Sequence, residues 1–233
     1  MGDGLNFDPA KLALWFAAFL LSVTSHEAAH ALAARWGGDR TAEDQVTLNP
    51  LPHMRREPFG MLIVPLLSYL TQGFMIGWAS APYDPAWASR HPRRAGLMAA
   101  AGPLANLLLA ALAIVAIKVL VGAGWGDPPA RATFEHLVEP RAGAALAPLG
   151  DLLSILVMLN ALLGTFNLLP LPPLDGAAIA EGLGGRVAAT AMGALRSLPM
   201  AGLIGLIIAW QVFGLIAPAL FGGVLALIHP GLY

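Results

Sequence analysis

Apolar residues run almost unbroken over 11–34, 59–78, 95–121, 150–171 and 198–229, with polar stretches between them. Apolar runs of about 18 residues or more predict transmembrane helices rather than one face of a soluble helix. The first, third and fourth runs read as clean spans. The second, FGMLIVPLLSYLTQGFMIGW, is interrupted by Pro65, Gly73 and Gly77. It predicts a re-entrant or tilted segment, with a full crossing as the rival. The last run suits one tilted span or a pair broken around Pro218.

The loops orient these runs. Residues 35–58 mix Arg35, Arg40, Arg55 and Arg56 with Asp39, Glu43, Asp44 and Glu57, and the next loop holds Arg90, Arg93 and Arg94. Basic loops stay in the cytoplasm, and a re-entrant 59–78 keeps both of these inside. The N-terminus then lies outside, the far end of the first span faces the cytoplasm, 95–121 runs outward and 150–171 returns. Within the first loop QVTLNPL alternates weakly, which predicts a short extended or hairpin element. Residues 122–148 are rich in Gly and Pro, and 176–196 are small and mildly basic.

Composition agrees with a membrane address. The chain is 57% hydrophobic and 12% charged, against about 25% charged in soluble domains. Its net charge of −1 gives no electrostatic case for nucleic acid. Cysteine is absent, which excludes disulfides, a thiolate nucleophile and thiolate-held zinc. No polar stretch approaches the usual domain minimum of about 50 residues, so residues 1–233 read as one membrane-embedded domain. A cleaved leader fits poorly, because Asp3 and Asp8 precede the first run with only Lys11 as a cation.

Inside that first run stands HEAAH, residues 26–30. His26 and His30 lie one turn apart on one helix face, so both imidazoles can reach one zinc ion, and Glu27 can take a proton from a water there. Ionisable groups are costly in hydrocarbon and mark functional sites. Two histidines leave a catalytic zinc short of one ligand. Asp175 is the best candidate, since it follows a proline run at the inward end of 150–171 and precedes Gly176. Glu181, Asp151, Asp84, His53 and His91 stand as competitors. Asn106 and Asn167 are amides in apolar spans, where they either bond a neighbouring helix or serve a site. Helix packing is favoured for Asn106, close to Gly102 and Ala105. His229 reads as an interfacial residue rather than a ligand.

With HEAAH at 26–30, AGPLAN at 101–106 and NLLPLPPLDG at 167–176 on three successive spans, the chain resembles the site-2 protease family of intramembrane metalloproteases. GWASAP at 77–82 resembles the compact members that lack PDZ or CBS domains. The segment AEDQVTLNPLPHMRREP is more charged than the family pattern leads one to expect. The resemblance implies one zinc per chain on His26, His30 and Asp175, with Glu27 as catalytic acid and base. It also implies a substrate-holding role for Asn167; Asn106 stands as a second substrate-side candidate on its own residue reading.

The predicted fold is an all-α integral membrane protein. It is a polytopic helical bundle with a three-helix catalytic core and short extended segments at the cytoplasmic side. The expected function is zinc-dependent cleavage of peptide bonds in or near the transmembrane segments of membrane-anchored substrates, in a prokaryotic cytoplasmic membrane and toward its cytoplasmic face. An edge strand from 44–50 or 77–83 is expected to clamp the substrate chain. Two other readings stand beside this one: a membrane zinc hydrolase acting on a small or lipid substrate, and a non-catalytic protein that grips transmembrane helices.

Overall fold

The computed structural model describes residues 8–141 and 146–232; Asp3 lies outside them. Helix α1, Pro9–Gly37, starts where Asp8 accepts hydrogen bonds from the Ala10 and Lys11 amides and Pro9 takes the first helical position. It stops at Gly38, whose φ of 98° only glycine adopts readily. Its 29 residues span about 43 Å.

After α1, QVTLNPL does not form the predicted extended element. Glu43–Gln45 is a 3-10 turn, and Asn49 caps helix α2, Pro50–Arg56. The Asn49 side chain accepts from the Leu51 amide while Pro50 presets helical φ, and this local pair outweighs the weak alternation before it.

The run 59–78 goes in and comes back. A π-helical turn, Phe59–Ile63, leads into helix α3, Val64–Gln72, which ends at Gly73 with φ 79°. Together these 14 residues rise about 21 Å, short of the ~30 Å hydrocarbon layer. The chain then returns antiparallel: the Ile76 amide donates to Ser68 Oγ and the Trp78 amide to the Gly60 carbonyl. The return is tight, since a Cβ on Gly77 would lie 2.3 Å from the Gly60 carbonyl oxygen and 2.5 Å from Phe19. It brings the two arginine-bearing loops to the same end of the bundle. There the Asp84 amide donates to Asp39, the Trp87 indole donates to the Gly37 carbonyl, and Ser80 donates to Glu57.

Helix α4, Pro85–Arg90, leads into α5, Pro92–Gly122, the centre of the bundle, which packs on α1 and on α6, Ala147–Asn167. Helix α7, Asp175–Leu183, folds back onto α5, and α8, Gly185–Arg196, follows it. Helix α9, Ala201–Ile228, runs as one helix through Pro218, so the last apolar run is a single element. Among the described residues, four helices (α1, α5, α6 and α9) are long and apolar enough to cross a membrane. The most apolar window of α1 is 56% buried and that of α9 only 11%, so α1 is a core helix and α9 a peripheral one.

The described strands pair in the α5–α6 connection: β1, Gly126–Asp127, and β2, Glu139–Pro140, run antiparallel. They follow the C-terminal end of α5, about 30 Å along it from Gly102. Around them Lys11 and Trp15 both reach Glu135, and His229 donates to the Leu137 carbonyl at 2.8 Å. His229 is 3% exposed. At the end of α9, it is a buried tie between that helix and this loop. Leu137 and Val138 are fully buried against α5, α6 and the last turn of α9, while Trp15, Phe19 and Met61 head a second cluster between α1 and the returning segment.

In the same loop His136 lies 2.6 Å from Glu139 and 3.4 Å from Asp151. Partial burial opposes its charged form, but the two carboxylates outweigh this and hold its pKa above the ordinary 6.5. A raised folded-state pKa contributes stability that is full below about pH 6.5 and fades as pH rises through the folded value. Denaturation midpoints in detergent should therefore fall across that window for the parent protein. In His136→Gln that component of the pH dependence should vanish.

Candidate metal centre

The i, i+4 spacing on α1 turns His26 and His30 to one side, with their Nε2 atoms 3.0 Å apart. The third group arrives from beyond α6. The chain leaves that helix through LLPLPPL and starts α7 at Asp175. Gly176 permits the turn: a Cβ there would lie 2.2 Å from the Leu169 carbonyl oxygen and 2.4 Å from that of Leu168. Tucked under the end of α6, Asp175 places Oδ2 3.0 Å from His26 Nε2 and 3.3 Å from His30 Nε2. Helix α5 closes the other side. A Cβ on Gly102 would lie 2.4 Å from His30 Nε2 and 2.6 Å from His26 Nε2, so the backbone itself forms that wall.

The hydrogen-bond accounting says what this centre can hold. His30 Nδ1 lies 2.7 Å from the Met98 carbonyl oxygen, which can only accept. His26 Nδ1 lies 2.6 Å from Asn106 Oδ1, and the Asn106 amide hydrogens go to the Ser22 carbonyl and to Asn160 Oδ1. Both Nδ1 atoms therefore carry hydrogen, which leaves Nε2 of each ring as the atom turned to the centre. Two imidazole nitrogens and a carboxylate oxygen converge on one another, a donor set that a cation would satisfy. Tetrahedral bonds of ~2.0–2.1 Å place ligand atoms about 3.3 Å apart, close to the separations seen. Two nitrogens and one carboxylate, without a thiolate, match a catalytic zinc site with a position left for substrate or water. The residues present fit the metal.

Glu27 is 6% exposed and makes no hydrogen bond or ion pair among the described residues. The competitors of Asp175 are engaged elsewhere. Glu181 pairs with Arg196, Asp151 with His136, and Asp84 with Arg90, while His53 bonds the Thr47 carbonyl. His91, at the start of α5, sets its ring at a tilt against Trp87. Asn106 departs from its substrate-side role: it is fully buried, with its amide committed to His26, Ser22 and Asn160, so it stands behind the ligand. Asn167 ends α6, half-buried, with its amide bonded to the Leu163 carbonyl. Two residues escaped the sequence reading. Asn160, fully buried in α6, and Ser22 complete the network behind His26. The signal for Asn160 was there, an amide in an apolar span.

The model of peptidase family M50, the site-2 protease family, matches residues 14–210, most of the chain and every group of the centre. The chain belongs to peptidase family M50. It is also 38% identical over 167 residues to a Bacillus subtilis (strain 168) protein named "Putative zinc metalloprotease YwhC". The match covers 70% of this chain and 66% of that protein, just under two thirds of its length. No solved structure matches. An M50 centre implies zinc, and His26, His30 and Asp175 are placed to bind it.

The Gly102 wall gives a direct test. Gly102→Ala keeps the helix but drives a methyl group into both Nε2 atoms. Zinc affinity, read by competition with a chromophoric chelator, should fall about tenfold or more, with helical content unchanged.

Proposed function

We propose that this M50 protein is a zinc-dependent endopeptidase that cuts peptide bonds within or beside transmembrane segments of membrane-anchored proteins. The observation that carries the reading is the convergence of His26 Nε2, His30 Nε2 and Asp175 Oδ2 beside a buried, unpaired Glu27, inside a bundle of four apolar helices. The family match and the relative's name support it.

When bound, zinc would supply Lewis acidity, lowering the pKa of a water toward about 7 and polarising a carbonyl. The rest falls to the chain's own residues. His26 and His30, fixed through Nδ1, and Asp175 would hold the ion. Glu27 takes the proton of the attacking water on its carboxylate and hands it to the leaving amine nitrogen. A helical substrate hides its scissile carbonyl in a hydrogen bond and must unwind first. Residues 77–83 lie outside helix and strand among the described residues, and we assign them the edge that receives the unwound chain. Residues 44–50 are withdrawn from that role, being a 3-10 turn and a helix cap. Asn167, at the end of α6, is the side chain we assign to steadying the substrate strand.

The in-and-back course of 59–78 supports a re-entrant segment and, with the arginines of both flanking loops, a site that opens toward the cytoplasmic face. Glu27→Gln keeps the size and the ligand set but removes the base. Cleavage of a membrane-anchored substrate, followed by mass spectrometry of its fragments, should drop about 10²–10⁴-fold while zinc content holds. Undiminished cleavage by this variant would sink the assignment. Turnover of a small ester or lipid without peptide fragments would favour the other zinc hydrolase.

A further inference from the structure

Ser22, Asn106 and Asn160 form a fully buried polar patch where α1, α5 and α6 meet. Only Asn106 touches a proposed ligand. We propose that Asn160 is a positioning residue: acting through Asn106, it fixes which ring nitrogen of His26 carries hydrogen and so keeps Nε2 open for the metal. This rests on the metal-centre reading above.

The direction of each bond follows from groups that have no choice. The Leu156 carbonyl can only accept, and Asn160 Nδ2 lies 2.9 Å from it. The same nitrogen donates to Ser22 Oγ at 2.8 Å, because the Ser22 hydroxyl hydrogen goes to the Ala18 carbonyl. With its nitrogen held there, Asn160 turns Oδ1 toward α5. It accepts from Asn106 Nδ2 at 2.8 Å, and the Ser22 carbonyl accepts from that nitrogen at 3.1 Å. Both Asn106 amide hydrogens are thereby committed, and its Oδ1 faces His26 Nδ1 at 2.6 Å. That nitrogen must donate. Nε2 is then the nitrogen that faces His30 Nε2 and Asp175, where a metal would bind.

Turning the Asn106 amide over would present Nδ2 to His26 Nδ1 and move the ring hydrogen to Nε2, where it competes with a cation. Asn160 and the Ser22 carbonyl are the acceptors that prevent this. All three side chains are 0% exposed, so no solvent can replace a lost partner. His30 needs no such device, because its Nδ1 meets a backbone carbonyl, that of Met98. One histidine is fixed by the main chain, the other by a side-chain relay through two further helices.

The test uses the full chain in detergent with two variants of matched size. Asn160→Leu removes the acceptor, whereas Asn160→Asp keeps one. Two readouts apply: zinc affinity by chelator competition, and the ring tautomer by imidazole ¹⁵N spectra of the zinc-free protein. Asn160→Leu should weaken zinc about tenfold and bring up the Nε2–H form of His26, while Asn160→Asp should stay within about threefold of the parent and keep the Nδ1–H form. A packing role alone predicts the opposite order, with apolar Leu the milder change. The proposal is overturned if Asn160→Leu matches the parent in both readouts, or if the two variants lose affinity alike. If the parent itself takes up no zinc, the metal-centre reading fails, and the tautomer spectra still decide for or against Asn160.

Discussion

The α5 backbone at Gly102 stands against two imidazole nitrogens with no room for a single carbon between them. Everything around the centre follows from that approach. It sets the separation of α1 and α5, and Gly164 repeats it on α6, where a Cβ would meet the Pro103 carbonyl oxygen at 3.0 Å and Leu107 at 2.9 Å. Helix α7 does the same at Gly182, within 2.3 Å of the Pro92 carbonyl oxygen by the same measure. Apolar helices in lipid gain little from burying one another, so close backbone packing at small residues holds such a bundle together. Here the same small residues make the space in which a charged centre fits.

A centre of this polarity in an apolar bundle needs each group answered from within the chain. The Nδ1 atoms meet an amide oxygen and a carbonyl, and the buried amides answer one another. The far end of the bundle follows the same rule with different residues. Lys11 and Trp15 share Glu135, and the His229 ring reaches the Leu137 carbonyl. These ties hold the start of α1 and the end of α9 to one loop, while the middle of α9 stays open to its surroundings.

How much was readable beforehand depended on how local each feature is. HEAAH places two imidazoles together through one turn of helix, and the proline run before Asp175 ends one element and begins another. Both were legible because the geometry lies within a few residues. The return of residues 75–78 was legible only as breaks at Pro65, Gly73 and Gly77. Its course depends on Phe19 from α1 and on the fit of Gly60 against Trp78. QVTLNPL misled because its alternation competes with the Asn49–Pro50 cap, and the cap prevails. Asn106 could be recognised as a polar residue that needs a reason. Its role became clear only with Ser22 and Asn160, which lie 84 positions before it and 54 after it.

The proline-rich turn that delivers Asp175 has a mechanical consequence. A cation held by His30 and Asp175 joins positions 145 residues apart (175 − 30), and so closes a long loop in a chain that has no cysteine. Cross-links of that reach act chiefly on the unfolded chain, by removing conformations it would otherwise explore. The ion would thus serve as a removable staple, and a chelator would remove this link between α7 and α1 while leaving α7 packed on α5.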